Sequence, residues 1–172
     1  MRLNVLYGCD NNYATYTGVS MVSLLENNRD IDRIVIYFAA MNIEDCNMSL
    51  YKKIAKEYDR ELVVLNVKKA QELMELYNCN GWNGSIATWL RFFVLDQIPD
   101  EVEKILWLDS DTIIEHSLKE LTELDMREFP VGAVCDSLNY YGRFRLGFRE
   151  DEPYYNAGVI LFNLEYWRRH ST

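Results

Sequence analysis

Lys104-Ile105-Leu106-Trp107-Leu108-Asp109-Ser110-Asp111 is the stretch from which the fold can be read. Ile105 to Leu108 is an unbroken apolar run bounded by polar residues, the pattern of a buried strand. It ends abruptly on Asp-Ser-Asp. In an extended chain residues i and i+2 point to the same side, so Asp109 and Asp111 are expected to present two carboxylates together. Carboxylates that close repel, and one takes up a proton unless a cation lies between them. A hard divalent ion such as Mg²⁺ or Mn²⁺, with phosphate oxygens as further ligands, resolves that conflict. The same residues also read as a solvated turn with Asp109 capping a helix. The apolar strand running into the triplet favours the metal.

Working outward, Leu3 to Tyr7 is a second short apolar run, stopped by the polar stretch from Gly8 to Asn12. Arg33 to Phe38, Glu61 to Val67, Val131 to Cys135 and Val159 to Asn163 are β-branched and aromatic runs that read as further strands. Between them the spacing predicts helices. Thr17 is expected to cap the first, with Val19, Val22, Leu24 and Leu25 on its apolar face. Ile43 to Tyr58 is amphipathic, Val67 to Tyr77 looks helical, and Thr88 to Gln97 reads as a mostly apolar helix ended by Pro99. Asn78 to Ser85 is a loop, and a last helix opens near Trp167 and Arg168. Strands alternating with helices imply an α/β sandwich with a largely parallel (mixed) sheet, whose ligands bind beyond the carboxyl ends of the strands. The polar loops Gly8 to Tyr13, Asp109 to Asp111 and Asp136 to Asn139 all follow strands.

Composition excludes several alternatives. The chain has 172 residues, the size of one domain spanning 1–172, and its 18 Lys+Arg against 27 Asp+Glu leave a net charge of −9. That sign argues against nucleic acid or an anionic membrane as the partner. No apolar stretch is long enough for a signal peptide or a transmembrane helix, so a cytoplasmic location is expected. Cys9, Cys46, Cys79 and Cys135 match no zinc or CxxC spacing and are read as reduced thiols. No GxGxxG follows the first strand and no GxxxxGK[ST] occurs, which disfavours a dinucleotide dehydrogenase and a Walker-type ATPase.

Two more segments carry chemistry. In Tyr7-Gly8-Cys9-Asp10-Asn11-Asn12-Tyr13, Asp10 can accept from an imide N–H, the asparagines can donate and accept, and Tyr13 can stack on a base. Gly8 allows close approach of a ligand to the backbone. The other reading is an ordinary strand-to-helix loop. In Tyr154 to Asn163, Asn156 before Ala157 and Gly158 could bring an amide and backbone groups to a sugar, or simply form the turn into a core strand.

Taken together, YGCDNNY, SIATWLRFFV, KILWLDSDTII, VGAVCD and YYNAGVILFNLEYWR stand in the order found in the family 8 glycosyltransferases, which the chain resembles from about Asn4 to Arg169. That group includes glycogenin and the bacterial enzymes of lipopolysaccharide biosynthesis that transfer galactose and glucose. The resemblance implies a GT-A type, Rossmann-like nucleotide-binding sandwich. It also implies transfer of a hexose from a UDP-sugar to a glycan or lipid-linked saccharide, with Mn²⁺ and retention of configuration. Mapped by motif, Gly8, Cys9, Asp10, Asn11, Asn12 and Tyr13 hold the uracil and ribose, with Tyr13 against the base. Asp109 and Asp111, with Ser110 between them, hold Mn²⁺ (or Mg²⁺) on the diphosphate. Arg91 reaches the donor sugar or Asp109. Asp136, Asn156, Ala157 and Gly158 line the sugar and acceptor pocket. Asn11 stands where some members have a second Asp.

Family members continue for roughly another hundred residues beyond this length, against a ~100–200-residue prior for one domain. The resemblance therefore implies a chain lacking its C-terminal third, with the catalytic residues, a third metal ligand and any peripheral attachment to the inner membrane beyond Thr172. Such a chain is expected to leave Val159 to Asn163 and Trp167 uncovered and to form a homodimer. Two other functions compete: a catalytically silent sugar-nucleotide-binding module, and a sugar-1-phosphate nucleotidyltransferase. The latter wants a Gly-rich basic loop after the first strand, and YGCDNNY is neither.

Overall fold

Strand β1 (Arg2–Asp10) is buried along nearly its whole length and lies inside the sheet, which accounts for its unbroken apolar run. A strand covered by helices on both faces has no polar side with which to alternate. The computed structural model describes residues 1–81, 85–136, 145–149 and 151–170. After β1 come α1 (Ala14–Glu26), β2 (Arg33–Met41), α2 (Asp45–Glu57), β3 (Glu61–Leu65), α3 (Lys68–Leu76) and the short α4 (Leu90–Phe93). Then follow β4 (Lys104–Leu108), α5 (Lys119–Glu123), β5 (Val131–Cys135), β6 (Tyr155–Asn163) and α6 (Leu164–His170). The sheet order is β3-β2-β1-β4-β6-β5. Neighbours from β3 to β4 are parallel, and β6 runs antiparallel to both β4 and β5. The mixed α/β sheet expected from the sequence is therefore present, and strand order reverses at the β1/β4 pair.

Alternate residues of each strand feed two cores. Val5, Tyr7, Ile36, Phe38 and Leu106 pack with Met21, Leu24 and Leu25 of α1 and with Tyr51 of α2. Leu6, Tyr37, Ile105, Trp107 and Phe162 pack on the other face with Ala70 and Met74 of α3 and with Leu90 and Val94. Helices α2 and α3 each stop on a left-handed residue, Asp59 (φ 53°) and Asn78 (φ 50°). Arg60 N and Cys79 N then reach back to Ala55 O and Met74 O at 2.8 and 2.9 Å, closing the helix ends as Schellman motifs.

Several expectations need correction. Thr88 to Gln97 is not one helix: 3₁₀ turns at Ala87–Trp89 and Leu95–Gln97 flank the short α4. Thr, Trp, Phe and Val are weak helix formers, and side-chain packing at Leu90, Val94 and Leu95 decides the local path. Thr17 does not cap α1 but lies inside it. The helical run starts earlier because Asp10 accepts from Asn12 N and caps a 3₁₀ turn at Asn11–Tyr13. The apolar face of α1 was misplaced as well, since Val19 and Val22 are exposed whereas Thr17, Ser20 and Met21 are buried. Strand β6 is not left bare: Ile160, Leu161 and Phe162 are buried, and the half-buried Trp167 ring meets Phe162 edge-on at 5.4 Å. Part of the Asn78 to Ser85 loop and residues 137–139 of the third loop lie outside the described residues. Among those described, no helix is long and apolar enough to cross a membrane.

Gly8 marks the tightest approach within this fold. A Cβ there would sit 3.0 Å from Cη2 of Trp107 and 3.2 Å from Cβ of Leu90. Trp107 is 1% exposed and has no room to retreat. Gly8→Val is expected to cost about 1–3 kcal/mol through overpacking, read as a lower midpoint in urea denaturation. An unchanged midpoint would show that Trp107 can give way.

Candidate functional site

The loops following β1 and β4 emerge side by side because those strands are parallel neighbours, paired through Val5–Leu106 and Leu6–Trp107. Between them lies a cavity of about 160 Å³. One wall is Gly8, Cys9, Asp10 and Tyr13, the floor is Ser85, Ala87, Thr88 and Arg91, and the far wall is Trp107, Asp109, Ser110 and Asp111. The cavity is smaller than the ~300–1,000 Å³ of pockets that enclose a drug-sized ligand. Its position agrees with the general rule for ligand sites in open α/β sheets.

Asp109 and Asp111 do meet here, though not by strand alternation. Strand β4 ends at Leu108, and Thr112 bonds back to Asp109 O through its amide (3.2 Å) and its hydroxyl (2.8 Å). The triplet is therefore a turn. Oδ1 of Asp109 accepts from Trp107 Nε1 at 2.7 Å and from Arg91 Nη2 at 3.1 Å. Arg91 is 5% exposed and stacks on the Trp107 ring, 4.7 Å from its centroid. Its Nε donates to Thr88 O, Nη2 also to Thr88 Oγ1, and Nη1 to Ala157 O. Of the two expected partners for Arg91, the structure has Asp109. Burial pushes the Asp109 carboxyl above the usual carboxylate range, Asp111 adds to that, and Arg91 and Trp107 pull against it. Burial likewise lowers Arg91, opposed by Asp109.

Oδ2 of Asp109 carries no hydrogen bond among the described residues and lies 3.1 Å from where a Cβ on Gly158 would stand. Only a glycine keeps that oxygen clear. Asp111, on the same wall, is exposed and has no hydrogen bond or ion pair among the described residues. Two free carboxylate oxygen positions on one wall fit a hard divalent ion completed by water or phosphate oxygens. Among the described residues no set of three His, Cys, Asp or Glu stands close enough to hold a metal by itself.

The remaining expected residues divide. Gly8, Cys9, Asp10, Tyr13 and Ser110 line the cavity. Burial raises the Cys9 thiol, so it presents a neutral group. Asn11 and Asn12 are absent from the lining. The Asn11 amide is engaged with Glu44 (donating to Oε1 at 2.9 Å, accepting from its N at 3.0 Å) and accepts from Asn47 at 2.9 Å, which ties the β1 loop to the start of α2. Asn156 Oδ1 accepts from Gly158 N at 2.7 Å, and Gly158 O accepts from Asp109 N at 2.8 Å. Asn156 and Ala157 thus stand behind the Asp109 wall rather than in this cavity. Asp136 extends β5, its amide bonded to Tyr154 O at 2.7 Å, and also stands outside the cavity. The sequence reading missed Trp107 and Thr88 as parts of the site. Only the spacing hinted at them: Thr88 is three residues before Arg91 and Trp107 two residues before Asp109, while the turn after Leu108 brings the groups together.

Breaking the clamp should leave a carboxylate poorly compensated. Arg91→Met is expected to destabilise the fold by about 3 kcal/mol, the lower end for a broken buried pair because Asp109 reaches the cavity. Arg91→Met combined with Asp109→Asn should recover part of the loss in the same denaturation measurement. Equal losses in the single and double variants would show that the charge pair is not what matters.

Comparison with known proteins agrees with this arrangement. The family model for glycosyl transferase family 8 matches residues 4–172. The chain is 28% identical over 172 residues to lipopolysaccharide 1,3-galactosyltransferase of Salmonella typhimurium, covering 96% of this chain and 50% of the relative. It is 30% identical over 176 residues to glycosyltransferase GlyF of Streptococcus pneumoniae serotype 4, covering 99% of this chain and 39% of that one. The chain thus spans half or less of the length of these relatives. The solved structure of the galactosyltransferase LgtC with donor and acceptor sugar analogues superposes with a TM-score of 0.77 at 26% identity, over 98% of this chain and 60% of that protein. The mixed sheet with its flanking helices is of the same GT-A type. On the family model over nearly its whole length, with a fold that agrees, the chain belongs to glycosyl transferase family 8.

Proposed function

We propose that this chain provides the nucleotide-sugar half of a glycosyltransferase that moves a hexose from a UDP-sugar to a saccharide acceptor, with Mn²⁺ or Mg²⁺ and retention of configuration. The observation that carries the reading is the cavity itself. Three carboxylates, Asp10, Asp109 and Asp111, face a space whose only lining cation among the described residues, Arg91, is already committed to protein acceptors. An anionic diphosphate enters such a space only with a cation to offset the repulsion. The opposite wall offers Tyr13 for stacking and Asp10, with Oδ1 bonded to Asn12 N at 3.0 Å, for an imide donor.

The chain's own residues divide the work. Trp107 and Arg91 hold one oxygen of Asp109 so that the other points at the cavity, while Asp111 remains free to close on a ligand. Ser85 and Thr88 offer hydroxyls on the floor. Asn156 and Ala157 fix the backbone that carries Gly158, whose lack of a side chain leaves room beside Asp109 for a sugar or phosphate. When bound, the divalent ion supplies Lewis-acid neutralisation of the charge that develops on a departing diphosphate. The relative named as a lipopolysaccharide 1,3-galactosyltransferase supports a saccharide acceptor.

Calorimetric titration tests the reading. UDP with Mn²⁺ should bind more tightly than ADP or GDP with Mn²⁺, and equal affinities would overturn the uracil assignment. Asp111→Ala should weaken metal-dependent UDP binding at least about tenfold, which is about 1.4 kcal/mol. Its stability should stay within about 0.5 kcal/mol of the parent, as expected of a surface change. Loss of fold without any metal binding by the parent would make Asp111 structural. UDP binding with no release of sugar from any UDP-hexose would identify a binding module.

A further inference from the structure

The buried face of α1 is an unusual one. Thr17, Ser20 and Asn28 are all 0% exposed, although Ser, Thr and Asn are poor interior residues of a helix that packs on a sheet. Their partners explain the placement. Thr17 Oγ1 lies 2.8 Å from Ser110 Oγ, 3.1 Å from Cys9 Sγ and 3.1 Å from Tyr13 O. Ser20 Oγ lies 2.9 Å from Tyr7 OH and 3.2 Å from Thr112 Oγ1, which in turn donates to Asp109 O at 2.8 Å. Ser23 Oγ accepts from Ile114 N at 3.0 Å, Asn27 Nδ2 donates to Ile114 O at 2.9 Å, and Asn28 Oδ1 accepts from Leu118 N at 2.6 Å. Positions 17, 20, 23 and 27 form one helical stripe, and they meet Ser110, Thr112 and Ile114 in the same order. The segment after β4 is laid along α1 by hydroxyl and amide bonds as well as by the apolar packing of Ile114 and Leu118.

Two features turn this stripe into more than core filling. The group at its start, Thr17, reaches both walls of the cavity: Tyr13 O and Cys9 on the β1 side, Ser110 on the β4 side. All members are neutral, because burial drives the Tyr7 phenol well above its usual range. Among the described residues no buried side-chain polar atom lacks a partner, so each hydroxyl removed leaves another without one.

We infer that Thr17 and Ser20 are positioning residues: helix α1 holds the Asp109–Asp111 turn at a set distance from the Tyr13 wall, and so sets the span between the nucleoside end and the diphosphate end of the site. The inference rests on the proposed nucleotide site for its functional meaning, and on the bonds above for its structural content. Thr17→Val keeps the shape and removes the hydroxyl, Ser20→Ala removes the second, and Thr17→Ser restores the first. Backbone amide exchange followed by NMR should speed up at least about tenfold at Thr112 and Ile114 in Thr17→Val and Ser20→Ala. Exchange at Leu6 and Leu106 in the sheet should stay unchanged. In parallel, titration with Mn²⁺ should show UDP weakened at least about tenfold and uridine unaffected, with Thr17→Ser close to the parent in both measurements. Unchanged exchange at Thr112 and Ile114, uniform acceleration across the sheet, or equal weakening of uridine and UDP would each overturn the inference. If the parent binds neither uridine nor UDP, the nucleotide reading fails, and the exchange pattern alone decides whether α1 positions the turn.

Discussion

One oxygen of Asp109 gathers the site around itself. Trp107 Nε1 and Arg91 Nη2 converge on Oδ1, Arg91 lies flat on the Trp107 ring, and the same guanidinium holds the Thr88 and Ala157 carbonyls. The clamp therefore draws together β4, β6 and the segment before β4, and Gly8 of β1 is bare so that the Trp107 ring can lie against it. A buried ion pair of this kind is not a large net source of stability, because desolvation offsets most of the Coulomb gain. What it does supply is direction. With Oδ1 saturated, Oδ2 is the atom left for a ligand, and Gly158 keeps the space beside it open.

The electrostatic consequence separates two kinds of acidic residue. Asp109 is fixed and half shielded, with its protonation set by burial against a neighbouring cation. Asp111 is exposed and has no partner among the described residues. A rigid carboxylate beside an adaptable one suits a cation that must be held while a phosphate-bearing ligand comes and goes. The wall on the β1 side differs in kind, with a buried thiol and an aromatic ring beside the Asp10 carboxylate. Under the proposed function, a ligand with a flat polar head and an anionic tail would match the two ends of the cavity.

Much of this was legible in the chain because parallel strands buried on both faces have to be apolar throughout. Leu3 to Tyr7, Arg33 to Phe38 and Lys104 to Leu108 announced themselves, and so did the polar loops that follow the first and third of these. Helices were less legible. In α1 the apolar residues Val19 and Val22 turned outward, because the inward face was needed for hydroxyl bonds to the segment after β4. In Thr88 to Gln97 an apolar run broke into turns, because weak helix formers follow whatever packing Leu90 and Val94 find. Hydrophobic periodicity assumes that burial means apolar contact, whereas Thr17, Ser20 and Arg91 beside the site are buried on polar partners.

The sequence by itself determined that this protein is a mixed α/β sheet with two carboxylates at the end of a central strand, and its motifs determined the family. Those properties follow from local pattern: apolar runs, turn residues and the order of short motifs. Only the tertiary structure decided how the pieces are used. It made the Asp-Ser-Asp triplet a turn rather than an extended pair, set Asn11 to bracing α2 instead of facing the cavity, and brought Arg91, Trp107 and Gly158 onto Asp109. Each of those outcomes depends on a partner many residues away in the chain, as in Arg91 with Ala157 or Thr17 with Ser110. Such pairings are chosen by the closing of the sheet, which no window of neighbouring residues contains.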